Sequence, residues 1–77
     1  MKELVEYITK ALVDDVDAIE INEIEGKNTN VIEVKVGGND VGKVIGRSGK
    51  TADAIRIILN CAAAKVSKRY ILQIIDE

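Results

Sequence analysis

Apolar residues recur along this chain with two different periods, and each change of period marks a boundary between elements. Over residues 2–13, Leu4, Ile8, Ala11 and Leu12 return at helical spacing and predict a first amphipathic helix. The cluster Asp14-Asp15-Val16-Asp17 has low helix propensity and sets negative charge against the C-terminal end of the helix dipole, so the helix should end there. From residue 18 to 25 the period drops to two, with Ile19 and Ile21 alternating with Glu20 and Asn22. Ile24 falls out of phase and predicts a bulge or a strand end. Gly26-Lys27-Asn28-Thr29-Asn30 reads as a turn. From Val31 to Val36 the alternation is clean, with Ile32, Val34 and Val36 on one face and Glu33 and Lys35 on the other. The two strands predict an antiparallel hairpin.

Gly37-Gly38-Asn39-Asp40 breaks the second strand and offers Asn39 or Asp40 as the cap of a short helix over Val41 to Ile45. After Gly46-Arg47-Ser48-Gly49, helical spacing returns over residues 50–67, with Ala52, Ile55, Leu59, Ala62 and Val66 on one face. Tyr70 to Ile75 is a last strand, in which Tyr70, Leu72 and Ile74 alternate with Ile71, Gln73 and Ile75. The order α-β-β-α-α-β predicts an α+β fold, a three-stranded sheet with helices packed on one face. No proline, repeat or low-complexity tract suggests a linker, and residues 1–77 read as a single domain with one core.

The net charge of −2 conceals an asymmetry. Residues 1–40 hold four lysines against ten acids, a net of −6, whereas residues 41–69 hold seven bases against Asp53 alone, a net of +6. The second segment has the electrostatic footprint of a phosphate binder. One cysteine and no histidine exclude an internal disulfide and a zinc set, so neither metal nor cofactor is expected. No apolar run approaches the roughly 18 residues of a membrane span. Met1-Lys2-Glu3 opens an amphipathic pattern instead of a signal sequence, which predicts a cytoplasmic protein with no membrane contact.

Two glycines three apart, between a short helix and a long one, let the backbone approach a guest closely. The exposed N–H groups and positive dipole at the start of the long helix favour an anion, and Arg47 and Lys50 add mobile positive charge. Val44 and Ile45 beside the loop are candidates to line a groove for unstacked bases. The run Val44-Ile45-Gly46-Arg47-Ser48-Gly49-Lys50-Thr51-Ala52-Asp53-Ala54-Ile55-Arg56 resembles the signature of KH domains, whose GXXG loop clamps about four nucleotides. The order of elements along almost the whole chain resembles the type II arrangement, and more narrowly the chain is similar to the bacterial single-KH-domain family KhpA. That resemblance implies single-stranded RNA contact through Lys43, Val44, Ile45, Gly46, Arg47, Ser48, Gly49, Lys50 and Arg56. It also implies a role as RNA chaperone or post-transcriptional regulator beside a larger KH-domain partner protein, in a system tied to cell elongation and envelope homeostasis. The only aromatic residues, Tyr7 and Tyr70, stand away from the loop, so base stacking should be weak and affinity modest.

Three other readings compete. Gly49-Lys50-Thr51 has the ending of a nucleotide-binding P-loop, but Val44 stands where its first glycine belongs and a short helix, not a buried strand, leads in. Ser48 lacks the second glycine of a nucleophile elbow and any histidine to act as base, so no catalytic residue is assigned. The third reading is a protein-interaction or dimerisation module. Opposite the core face of the long helix lie Ile57, Cys61 and Ala64, a second apolar stripe suited to a homodimer or to a heteromer with the larger KH-domain protein.

Overall fold

A computed structural model describes residues 1–75. Helix α1 spans Lys2–Leu12, and a 3-10 turn at Val16–Ala18 leads into strand β1, Glu20–Glu25. Strand β2 spans Thr29–Lys35, helix α2 Val41–Ile45, helix α3 Lys50–Ala63 and strand β3 Arg69–Ile75. The order is the α-β-β-α-α-β expected of a type II KH domain, and the strands form one sheet in the order β1-β2-β3.

Strands β1 and β2 pair antiparallel without interruption from Glu20 opposite Lys35 to Glu25 opposite Asn30. Of the bulge or strand end expected at Ile24, the bulge is absent and the strand ends one residue later, at Glu25. Ile24 lies opposite Val31 on the face of the sheet away from the core and is 53% exposed, which is why it breaks the apolar alternation. Strands β2 and β3 pair parallel, from Thr29 beside Arg69 to Lys35 beside Ile75, so α2 and α3 together form the crossover between them.

The helices cover the other face of the sheet. Ile21, Ile32, Val34 and Leu72 point from the strands to meet Val5, Val44, Ile55 and Leu59 from the three helices. Helix α1 buries a different line from the one its apolar residues suggest: Val5 and Thr9 are fully buried, Leu4, Ile8 and Leu12 flank them, and Ala11 is exposed. Thr9 fits because its hydroxyl donates to the Val5 carbonyl at 2.7 Å, which satisfies the buried oxygen within its own helix. Helix α3 buries Ala52, Ile55, Leu59 and Ala63. The chain then tightens into a 3-10 turn, Ala64–Val66, and Ser67 turns left-handed at φ 55°. Val66, expected on the core face, is carried out of phase by this turn and is 57% exposed.

Asp40 also departs from expectation. It precedes α2, yet its side chain caps no N–H of that helix. The residue is 3% exposed, and its carboxylate accepts a hydrogen bond from the Asp15 backbone N–H at 3.0 Å. Lys43, one turn into α2, is ion-paired to Asp40 at 3.3 Å and to Asp14. Together these groups clasp the α1–β1 connection to the start of α2. The Asp15 N–H holds the Asp40 carboxyl below its ordinary value against the opposing effect of burial, with the Asp14 backbone and Lys43 assisting. Asp14 first, then Asp40, raises the Lys43 ammonium above its own.

Candidate nucleic-acid interface

Helix α2 stops because Gly46 leaves helical geometry. Its N–H bonds to the Gly42 carbonyl at 2.8 Å, while its own backbone swings to φ 78°, ψ 172°. A 3-10 turn, Arg47–Gly49, follows, with Ser48 at φ 55° and Gly49 at φ 76°, and α3 starts at Lys50. The Gly49 N–H bonds back to the Gly46 carbonyl at 3.2 Å, and the Lys50 N–H to the Arg47 carbonyl. The N–H groups of Arg47 and Ser48 have no partner among the described residues, and both residues are exposed.

The two glycines have different surroundings. A Cβ on Gly46 would stand 2.6 Å from Thr51 Cβ and 2.8 Å from Thr51 N, so the missing side chain makes room for the first turn of α3. A Cβ on Gly49 would meet nothing within 4 Å. The loop is thus closed on its Gly46 side by its own chain and open on its Gly49 side. Arg47 and Lys50 stand on either side of this glycine in the loop, both exposed and with no carboxylate partner among the described residues. Free N–H groups, a helix start and two unpaired cations favour a phosphate.

The residues assigned to RNA from the sequence do not all lie on this surface. Gly46, Arg47, Ser48, Gly49 and Lys50 form the loop itself. Ile45 is half-buried beside it and keeps apolar surface toward solvent. Val44 does not line an open groove: it is 1% exposed and packs into the core below α2, one helical turn from the buried Val41. Lys43 reaches away from the loop, toward the start of its helix, as long helical side chains tend to do, and is held by Asp14 and Asp40. Arg56 bonds Asp53 at 3.1 Å and reaches the Leu72 carbonyl at 3.5 Å, so it bridges α3 to strand β3.

On the outer side of α3, Ile57 is 65% exposed and Cys61 and Ala64 are exposed, as the second stripe requires. Ile58, also exposed, widens that stripe and went unassigned, although it stands three residues before Cys61. Thr51, the neighbour that makes Gly46 obligatory, and Asp40, which occupies Lys43, were likewise missed. Thr51 lies at the short spacing where a helix start meets the turn before it, a usable signal. The Asp40–Lys43 pair stands at the short i,i+3 spacing and offers one too, whereas the bond from the Asp15 N–H to Asp40 joins residues 25 apart and leaves none.

A β-α-α-β crossover that carries a GXXG turn between its two helices, with a further helix and strand preceding it, defines the chain as a KH domain of type II. It belongs to the KhpA/KhpB KH-domain family, whose family model matches residues 2–74. This family is not enzymatic, and the chain is not an enzyme. Among curated relatives, it is 53% identical to the RNA-binding protein KhpA of Caldanaerobacter subterraneus subsp. tengcongensis, over 97% of this chain and 100% of that one. It is 47% identical to the RNA-binding protein KhpA of Borreliella burgdorferi, over 96% of this chain and 90% of the relative. With that of Aquifex aeolicus the identity is 43%, over 99% and 96%. No solved structure matches the chain.

Proposed function

We propose that this protein binds single-stranded RNA as one KH domain, holding the phosphate backbone in the Gly46-Arg47-Ser48-Gly49 loop. The observation that carries this reading is the open side of the loop, where the free Arg47 and Ser48 N–H groups and two unpaired cations face solvent across a glycine with no neighbour. The relatives' name, RNA-binding protein KhpA, supports it. In this mechanism the backbone of the loop receives a phosphate, Arg47 and Lys50 neutralise it, and the exposed part of Ile45 offers apolar surface to an unstacked base. None of these contacts distinguishes one base from another, so binding is modest in affinity and broad in sequence. Such binding suits an RNA chaperone or post-transcriptional regulator acting in the cytoplasm with a larger KH-domain partner, in support of cell elongation and envelope homeostasis. The test is fluorescence anisotropy of a labelled single-stranded RNA at two salt concentrations. Wild type binds at about micromolar affinity with clear salt dependence, and the folded double variant Arg47→Asp, Ser48→Asp loses at least tenfold. Equal binding by the two proteins would remove the loop from the mechanism.

A second reading rests on a separate observation, the exposed stripe Ile57, Cys61 and Ala64 on α3. It serves as an interface to a second copy or to the larger KH-domain protein, and the pairing of two proteins in the family's description supports this. A dimer would set two weak loops on one RNA and gain avidity without new contacts. Light scattering tests it: Ile57→Glu halves the mass of a wild-type dimer, and an unchanged mass with partner binding intact would dispose of the interface.

A further inference from the structure

Apart from Lys43 and Arg56, which are paired to carboxylates within the fold, the bases of residues 41–69 are divided between two ends of α3. Arg47 and Lys50 stand at its start, and Lys65, Lys68 and Arg69 stand beyond its end. The helix between them has 14 residues, which separates the two groups by about 20 Å. Strand β3 begins beside the hairpin turn, where the Arg69 N–H bonds the Asn28 carbonyl at 3.0 Å, and this brings Lys27 of the same turn to the same end. Lys27, Lys65 and Arg69 are exposed and have no carboxylate partner among the described residues.

The acids at this end are few. Glu23 is bound by the Asn30 side-chain amide at 2.8 Å, and Asn30, 2% exposed, also accepts from the Lys68 ammonium at 3.2 Å. Glu25 is exposed at the end of β1, so this end of the chain holds Lys27, Lys65, Lys68 and Arg69 against Glu23 and Glu25, with Lys68 and Glu23 both engaged through Asn30. Along α3 itself the only acid is Asp53, which is paired to Arg56. Between the loop and Lys65, α3 therefore offers no free carboxylate to repel a negatively charged strand.

We propose that Lys27, Lys65 and Arg69 form a second phosphate-contact surface at the far end of α3, which takes up RNA beyond the about four nucleotides held by the loop. The proposal rests on the reading of the loop as an RNA clamp. Its consequence is a dependence of affinity on strand length, since the far contacts become intramolecular once the loop is occupied.

The test compares labelled single-stranded RNAs of about 5 and about 12 nucleotides and uniform composition, on wild type and on the double variant Lys65→Ala, Arg69→Ala. Both substitutions leave the Arg69 backbone bond to Asn28 in place, and equal binding of the short strand by the two proteins reports that the loop and fold are intact. Wild type binds the longer strand on the order of 100-fold more tightly, of which the larger number of binding registers supplies less than about tenfold. The double variant keeps that register share and the lesser part supplied by Lys27, so that most of the remaining gain is lost, and the slope of log affinity against log salt for the longer strand falls by about 1.4. Full retention of the length gain by the variant, or a wild-type gain no larger than the register share, overturns the second surface and leaves the loop untouched. Failure of wild type to bind either strand overturns both.

Discussion

Helix α2 is five residues long, and its two ends treat charge in opposite ways. At its start, a buried aspartate, a backbone N–H and a lysine satisfy one another, and nothing there is left for a ligand. At its end, backbone donors and two cations face solvent with no partner among the described residues. Counting bases in the segment gives both ends equal weight, yet Lys43 belongs to the architecture and Arg47 and Lys50 to the surface. The difference shows that local charge indicates binding only after the charges engaged within the fold are subtracted.

Substitutions at three positions sharpen this contrast. The largest effect belongs to Gly46→Ala, which adds a Cβ against Thr51 at a positive φ. Urea unfolding should show a loss of about 3 kcal/mol, and a variant as stable as wild type would show that Thr51 does not close that side of the loop. Next comes Asp40→Ala, which removes the acceptor of the Asp15 N–H and a partner of Lys43. Tm should fall by several degrees, while RNA affinity of the folded protein stays within about twofold.

The same clasp carries a pH signature. Because Asp40 titrates lower in the folded chain than its ordinary value of 3.8, the unfolded chain takes up the proton first on acidification. The stabilisation is complete above that value and disappears as pH falls below it toward the lowered one. Unfolding followed from neutral to acid pH should therefore be less steep for Asp40→Asn than for wild type. The smallest effect on stability is that of Gly49→Ala, whose methyl meets no atom but sits at φ 76°. It should cost about 1 kcal/mol and yet weaken RNA binding at least fivefold, since the methyl occupies the open side. A variant that loses stability without losing RNA would place the guest elsewhere.

Much of this organisation was legible in the sequence wherever a local rule decided it. Helix α2 was expected over the residues it occupies because glycines bound it on both sides, and strand β2 because its alternation is strict. The resemblance of the loop to the KH signature pointed to the family that the comparisons show. Long-range contacts decided the remainder. Thr9 replaces apolar neighbours in the core because its hydroxyl finds a carbonyl one turn back, and periodicity of apolar residues alone passes over it. The roles of Gly46 and Gly49 look interchangeable in the motif and separate only when Thr51 is placed beside the first. Val44 looked like part of a groove because it adjoins the loop in sequence, while the helical rotation between Val44 and Ile45 sends the former inward.

The parallel pairing of β2 with β3 bears on how the domain folds. Residues paired between β1 and β2 lie 5 to 15 positions apart, whereas every pair between β2 and β3 spans 40. The hairpin closes a short loop, but the third strand must bring back a chain that already includes both helices of the crossover. Leu72 completes the core only at that step, and Arg56 gains its contact to the Leu72 carbonyl at the same moment. The GXXG turn lies inside the excursion that this step closes, so it acquires its fixed orientation in the late, cooperative part of folding. A chain with only its hairpin formed would display the acidic half of the molecule and no assembled clamp, which ties competence for RNA to completion of the fold.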